Sequence, residues 1–518
     1  MENKKHLWGR LIFFAGIFAT FLVFYTKVVP IVIYNLDDWV GLAVRRDIFP
    51  IWRGWNPSRI LPELMMPLTA QLSVYLIYPV TGRFLYSVEI GLSVAVSAAV
   101  TVYAFSFFRL VVRKYHASEL LGMAYTILSL MLHFVVFRTQ SEGNDYLLAG
   151  YYDTATFFYY LIPALWNGSL VLYMMTEDYF HTRTVKRYVT RGIFIVAIYF
   201  ACFSDIYQSG ILAIYTGVML LTELCGQLRR KTLTLNPFRK SFWNIYGLHL
   251  LILALWGIAC VYDAVGGRSN GLRSRSMDDF LSRLQTASAT LGERLADTNK
   301  WFIYLLLAAV MIFIVTLAVK LLSQRKKQKT KISVSASEKR ESLDLDGFQC
   351  LVCSVIAVLF LWLVCAMSVP GYIMRGDVLI TVFFFLFIFM LVQIHKVVCR
   401  KKAVLVVLPL IMVICFSQMN TLGRTWMIRT NGRVTADTAR AVWDDIMDEY
   451  FKADQNEEKK AEIHVPLYDH GSNWPIMTSG AYWVSETLYK YGITQSYINA
   501  SYIADPEFNL KYGISVSE

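Results

Sequence analysis

The sequence is poor in charge. Only 17% of its 518 residues are Asp, Glu, Lys or Arg, whereas 56% are hydrophobic; a soluble globular chain has about 25% charged residues. Polar linkers that would separate soluble domains are also missing. Apolar runs of about 20 residues recur instead, and that length matches the hydrocarbon thickness of a bilayer. These features exclude a soluble enzyme, a fibrous protein and a disordered chain, and they predict an all-α polytopic membrane protein.

Several chemical signatures are absent too. The sequence has no Walker A, G-x-S-x-G or G-x-G-x-x-G motif, and its eight histidines show neither HxH nor HExxH spacing. We therefore expect no direct use of ATP and no zinc site. No cysteine follows Cys415, so a disulfide-stapled exterior is not expected. Cys350 and Cys353 form a CxxC inside an apolar run, where packing is favoured over a redox or zinc role.

The net charge of +12, from 50 Lys and Arg against 38 Asp and Glu, would suit a nucleic-acid partner. The basic residues instead lie in short segments between apolar runs, as the positive-inside rule gives to cytoplasmic loops. The strongest clusters are Arg229–Lys231 and Lys320–Arg340. We expect no nucleic-acid partner, a multi-pass plasma-membrane protein and a cytoplasmic N-terminus. About eleven transmembrane helices are predicted, at 11–34, 84–108, 119–137, 156–176, 191–204, 208–223, 243–263, 301–321, 347–367, 376–395 and 402–417.

Two domains follow from this pattern. Residues 1–417 form a multi-span membrane domain with long outer loops at 35–83 and 264–300. The proline-broken apolar stretch 61–80 either lies at the outer interface or spans the membrane, and we favour the interface. In the second loop, Ser276-x-x-Asp279 begins an amphipathic helix. That helix lies on the membrane surface or packs on its neighbours, and the two alternatives are equally supported.

The tail at 418–518 has a different composition, polar and rich in Asn, Gly and Asp. Helices are predicted around 439–450 and at 481–491, and strands at 463–467 and 496–503. We expect a small extracytoplasmic α/β module whose core leans on the membrane domain. The residues that share one face of its first helix are Ala439, Val442, Trp443, Ile446, Met447 and Tyr450.

The pair Asp37-Asp38 lies directly after the first apolar run, at the start of the first outer loop. Two carboxylates at a membrane interface are costly unless they are solvated or functional. One could remove a proton from an acceptor hydroxyl as general base. The other could orient the acceptor, tune the base or hold a divalent cation. A solvated pair that ends a helix is the alternative, with about equal support.

The same loop interleaves arginines with tryptophans. A guanidinium suits phosphate oxygens, and a tryptophan face suits a sugar ring or the headgroup layer. Contact with lipid headgroups and binding of a lipid-linked phosphate explain this cluster equally well. We take as candidate substrate-binding residues Trp39, Arg45, Arg46, Trp55 and Arg59 from this loop, with Arg268 and Arg275 from the second loop.

The order of these motifs resembles a known class of enzymes. Asp37-Asp38-Trp39, then Trp55-Asn56-Pro57-Ser58-Arg59 and an apolar helix, is similar to bacterial O-antigen glucosyltransferases of the GtrII type, within the GT-C class of membrane glycosyltransferases. Those proteins carry Gly-Arg where this chain has Ser58-Arg59. The resemblance covers the layout of residues 1–420, but only about 25 residues as motif.

The resemblance implies transfer of a sugar from a polyprenyl-phosphate donor to an envelope glycan on the outer face of the membrane. Asp37 or Asp38 would be the base of an inverting displacement. Arginines of the outer loops would stabilise the phosphate leaving group. Whether a divalent cation at Asp37 and Asp38 takes part stays open, and no other cofactor is expected.

Two other functions remain open. A transporter or flippase for a lipid-linked saccharide would use the same basic cavity without a base, but it predicts inverted repeats and mid-membrane charges. Neither is clear here, and Glu89 is the main carboxylate inside a predicted span. A non-catalytic subunit of an envelope assembly complex would leave Asp37 and Asp38 dispensable.

Overall fold

The computed structural model confirms an all-α polytopic protein. It is 79% helical, and among the residues that the structure describes eight helices are long and apolar enough to cross a membrane. Three shorter apolar helices, Glu119–Leu132, Gly192–Cys202 and Val406–Gln418, coincide with the remaining predicted spans. The total of eleven spans therefore stays a prediction. The structure describes residues 2–49, 56–138, 144–150, 153–178, 188–231, 240–265, 276–327, 335–398, 404–419, 434–467 and 479–514.

Helices dominate both halves of the chain, and short strands occur in two places. In chain order the elements are α1 (Glu2–Val23), α2 (Leu36–Ala43), α3 (Ile60–Leu76), α4 (Tyr78–Thr81), α5 (Phe84–Arg109), α6 (Glu119–Leu132), β1 (Phe137–Arg138), β2 (Asn144–Asp145), α7 (Ile162–Thr176), α8 (Tyr188–Cys202), α9 (Ile206–Arg230), α10 (Lys240–Val265), α11 (Met277–Ala296), α12 (Lys300–Lys327), α13 (Ser335–Met367), α14 (Gly376–Val398), α15 (Val404–Gln418), α16 (Ala436–Gln455), β3 (Lys460–Val465), α17 (Gly480–Lys490), β4 (Asn499–Ala504) and α18 (Pro506–Tyr512).

The chain divides into two compact units. Unit 1 comprises Met1–Thr101, Ala149–Pro163 and Thr421–Glu518. Unit 2 comprises Val102–Leu148 and Ala164–Asn420. The C-terminal elements therefore belong to the same compact unit as the N-terminal helices, and the polar tail is packed into the unit that holds Asp37 and Asp38.

The first helix is shorter than predicted at its C-terminal end. It continues from α1 through a π-helical turn, Phe24–Val28, and then stops. Pro30 follows, and a proline has no N–H to extend a helical ladder. Residues 29–34 are non-helical and buried, so the chain reaches α2 as a packed segment instead of as the last turn of a span.

The C-terminal part of unit 1 has a strand–helix–strand arrangement. β3 and β4 pair in parallel, with Ile463 opposite Tyr502, and α17 lies between them in sequence. The face predicted for α16 is buried as expected from its apolar spacing. Helix and strand positions thus agree with the sequence pattern to within a few residues.

Unit 2 is organised around α14, since 94% of the residues in an 18-residue apolar stretch of this helix are buried. It packs against α9, α12 and α13. The amphipathic helix α11 packs on α13 and on the short helix Pro370–Met374. Its Arg283 donates to the Ser368 carbonyl at 2.6 Å, and its buried Arg294 pairs with Asp145. The helix therefore packs on its neighbours, and its contact with a membrane surface stays a prediction.

Candidate functional site

The turn that carries Asp37 and Asp38 is a capping box. Asn35 precedes α2, and its side-chain oxygen accepts from the Asp38 N–H at 3.2 Å. The Asp38 carboxylate accepts in return from the Asn35 N–H at 3.2 Å and from the Tyr34 N–H at 2.8 Å. Asn and Asp suit these positions because their short polar side chains satisfy the free N–H groups of a helix start. The local sequence therefore fixes where α2 begins.

Asp38 is also tied to a distant segment of unit 1. Its second carboxylate oxygen accepts from the Ala155 N–H at 2.9 Å, and the Thr154 hydroxyl donates to the Val32 carbonyl at 2.7 Å. The side chain is fully buried. Burial, and then the nearby charge of Asp153, raises the pKa of Asp38 to about 8, although three backbone N–H groups act in the opposite direction. Asp38 thus anchors the turn with both of its oxygens.

Asp37 has the opposite environment. It lies on the same first turn of α2, but its side chain is exposed. The N-terminal end of a helix carries a partial positive charge that stabilises an ionised carboxylate. The two adjacent aspartates therefore differ in kind, since one is enclosed by backbone donors and the other is open to a ligand.

Trp39 belongs to the core of unit 1. It is fully buried, and its ring centroid lies 4.8 Å from that of Trp443 on α16. The Trp443 indole N–H in turn donates to the Tyr34 carbonyl at 3.4 Å. In this arrangement Trp39 has no open face for a sugar ring, and its role is to hold α2 against α16. The stacking role expected for it is therefore not retained.

Arg46 is paired instead of free. Its guanidinium lies 2.7 Å from the buried carboxylate of Glu63 on α3, and its backbone N–H donates to the Glu63 carbonyl at 3.4 Å. That carbonyl is available because the helical partner four residues on is Pro67, which has no N–H. The proline that breaks the α3 ladder thus provides the acceptor that joins the segment after α2 to α3.

Of the remaining substrate-binding candidates, the structure describes Arg45 and Arg59. Arg45 is exposed and donates to the Gln71 side chain at 3.1 Å. Arg59 precedes α3 with φ 66°, and its guanidinium lies 5.7 Å from the centre of the Tyr159 ring. Trp55, Arg268 and Arg275 lie outside the described residues. The structure therefore leaves Arg45 and Arg59 as candidates for phosphate contact in unit 1.

The C-terminal end of α2 is held by α17 and the residue that follows it. The buried Tyr491 hydroxyl lies 2.9 Å from the Leu42 carbonyl and 3.2 Å from the Pro67 carbonyl. The Lys490 ammonium donates to the Ala43 carbonyl at 3.4 Å. The last carbonyls of a helix have no partner within it. The last carbonyls of α2 therefore accept from a distant part of unit 1, whereas Asn35 caps its N-terminal end.

An ion pair between a buried carboxylate and a partly exposed arginine, which the sequence alone did not reveal, lies next to this site. Glu89 on α5 accepts from the Ile33 N–H at 3.3 Å and pairs with Arg440 on α16 at 2.8 Å. A second pair joins Arg83 and Asp444 at 2.5 Å. These side chains line a small surface pocket. The sequence does indicate that Glu89 needs a partner, because it is a carboxylate in an apolar run. It does not identify the partner, since Arg440 is 351 positions away.

The described residues contain no group of three or more His, Cys, Asp or Glu side chains that could hold a metal ion. Both oxygens of Asp38 accept from backbone N–H donors, and a divalent cation at Asp37 and Asp38 stays a prediction. Comparisons with protein-family models, with curated proteins and with solved structures found no match to this chain.

Proposed function

We propose that the protein is a membrane glycosyltransferase that moves a sugar from a polyprenyl-phosphate donor to an envelope glycan on the outer face of the plasma membrane. The observation that carries this proposal is the contrast between Asp37 and Asp38. An exposed carboxylate stands on a short helix whose two ends are fixed by hydrogen bonds from distant segments. General-base catalysis requires such a group, reachable by substrate and held in one orientation.

In the proposed reaction Asp37 accepts the proton of an acceptor hydroxyl. The hydroxyl oxygen forms a bond to the anomeric carbon of the donor sugar as the bond from that carbon to the phosphate oxygen breaks. Polyprenyl phosphate leaves with the bonding electron pair, and the anomeric configuration inverts. Arg45 and Arg59 are the described guanidinium groups of this loop that would contact the phosphate, where charge develops.

Asp38 has a positioning role in this scheme. It contacts no solvent, so it does not reach a substrate, but it fixes the turn that presents Asp37. Replacement of Asp38 would change the geometry of the turn and the pH dependence of its stability. Replacement of Asp37 would remove the base itself. This distinction gives the two aspartates different experimental signatures.

The test is an assay of the full-length protein with a polyprenyl-phosphate sugar and envelope glycan as acceptor. Release of polyprenyl phosphate is followed for wild type, Asp37→Asn and Asp38→Asn, each checked for membrane insertion and monodispersity. We expect turnover by wild type and a loss of at least ~100-fold in Asp37→Asn, the size of effect that general-base removal produces.

A different result would reject the proposal. If wild type binds the lipid-linked sugar without consuming it, and binding is the same in Asp37→Asn, transport of a lipid-linked saccharide becomes the leading function. If wild type neither binds nor consumes the donor, the donor class is wrong.

A further inference from the structure

One face of α17 exposes aromatic rings to solvent. Tyr482 and Tyr489 are 52% and 49% exposed, so about half of each of these large aromatic side chains is open to solvent. Positions 482, 486 and 489 share a helical stripe, and seven residues span about 10 Å of helix axis. The opposite face buries Ala481, Val484, Ser485 and Leu488 in unit 1. The exposed rings are therefore surplus to the packing of the helix.

Polar groups lie among these rings. Glu486 stands between the two tyrosines and pairs with Lys490 at 2.7 Å. The Tyr497 ring, from the segment before β4, lies edge-on to Tyr489 with centroids 6.1 Å apart. Burial, and then the proximity of Glu486 and Tyr482, raises the pKa of Tyr497, so these side chains form one cluster. We call Tyr482, Glu486, Tyr489, Lys490 and Tyr497 the α17 patch.

The composition of this patch selects a class of ligand. A saccharide presents weakly apolar C–H faces and, at its edges, hydroxyls that both donate and accept hydrogen bonds. Flat aromatic rings match the faces, while a carboxylate, an ammonium and phenol groups match the hydroxyls. A protein partner would favour a wider dry centre with little charge. The alternation of rings and charged groups along one helical stripe therefore fits a glycan chain.

The patch is continuous with the candidate catalytic site. Lys490 belongs to both, since its ammonium also contacts the Ala43 carbonyl at the end of α2. Tyr491, the next residue, bonds the neighbouring carbonyl of Leu42. A glycan on the α17 patch would thus lie on the element that clamps α2, the helix that carries Asp37.

We propose that the α17 patch binds the acceptor glycan. This inference rests on the proposed function for the word acceptor, but saccharide binding by the patch can be tested by itself. The rings hold the glycan chain by stacking, and the reacting hydroxyl is supplied to the Asp37 side of α2. The patch then determines acceptor affinity without taking part in bond making.

The experiment uses full-length protein in detergent micelles. The probe is envelope glycan from the source cells, cut to short oligosaccharides and labelled at the reducing end. Binding is measured for wild type, Tyr482→Ala, Tyr489→Ala and Tyr489→Phe, and acceptor KM and kcat are measured in the transfer assay. Tyr75→Ala, which removes a 65% exposed tyrosine of α3, is the matched control.

We expect each alanine variant of the patch to weaken oligosaccharide binding about tenfold, an ordinary contribution for a contact that dominates an interface. Tyr489→Phe keeps the ring and should restore binding to within about threefold. Acceptor KM should rise in parallel while kcat at saturating acceptor stays unchanged. Asp37→Asn should bind the probe like wild type.

The failures of the two proposals are distinguishable. Equal binding by wild type and the alanine variants, or no binding by wild type, overturns the patch whether or not transfer occurs. If the alanine variants differ from wild type only in their partition into lipid vesicles, the proposal for the α17 patch is also overturned, and the rings contact the headgroup layer. Tyrosine-dependent binding without any transfer supports the saccharide surface and rejects the proposed function.

Discussion

The ionisation of Asp38 is coupled to the folding of unit 1, and this coupling has a definite sign. Burial raises the folded-state pKa of Asp38 to about 8, whereas a carboxyl in an unfolded chain titrates near 4. Between these values the folded state holds a proton that the unfolded state has lost. The contribution of Asp38 to stability is therefore fully present below pH ~4 and is lost as the pH rises through about 8.

The magnitude follows from the number of protons. One proton held only by the folded state lowers the free energy of unfolding by about 1.4 kcal/mol per pH unit. Between pH 6 and pH 8 wild type should thus lose about 2–3 kcal/mol relative to a variant in which position 38 does not titrate. Asp38→Asn is that variant, because its amide oxygen still accepts from the turn and its charge is zero at every pH.

The assay is denaturant titration of the full-length protein in detergent micelles at pH 6, 7 and 8, followed by tryptophan fluorescence. Subtracting the Asp38→Asn curve removes the contribution of the titrating groups that do not interact with Asp38; Asp153 does interact with it. Asp37→Asn is the matched control, since it removes an exposed carboxylate from the same turn and should keep the wild-type slope. If the free energy of unfolding changes with pH in parallel for wild type and Asp38→Asn, the pKa of Asp38 is not raised in the folded state.

Three further substitutions test the contacts around α2. Arg440→Ala leaves Glu89 buried without its cation and should cost about 3–5 kcal/mol by denaturant titration, a loss that adding Glu89→Gln should partly reverse. Tyr491→Phe removes the donor to the Leu42 carbonyl and should cost about 1–3 kcal/mol in the same titration, with an unchanged value contradicting that bond. Trp443→Ala empties a fully buried site and should cost about 3–5 kcal/mol, together with faster hydrogen exchange in α2; unchanged exchange would show that α2 does not depend on this packing.

Much of the fold could be predicted because the relevant signals are local. Runs of apolar residues mark the long helices, and the spacing of Val442, Trp443, Ile446 and Tyr450 marks the buried face of α16. The predicted first span extends to residue 34, beyond the observed end of the helical segment at Val28. Hydropathy continues past Pro30, whereas the hydrogen-bond ladder does not.

The candidate site was only partly predictable, since its contacts join distant positions. Asp37 and Asp38 stand out locally, but their different burial depends on Ala155, 117 positions from Asp38. Trp39 resembled an exposed sugar platform until Trp443 provided its packing partner. No periodicity or motif encodes such pairings, so the sequence predicted neither the burial of Asp38 nor the packing of Trp39.

We propose Asp37 as the base of a sugar transfer from a lipid-linked donor. The most direct measurement is the single-turnover release of polyprenyl phosphate by wild type and by Asp37→Asn, at saturating donor and acceptor and at equal membrane insertion. We expect release by wild type and a rate at least ~100-fold lower in Asp37→Asn, with donor binding retained. Equal rates in the two proteins would contradict it.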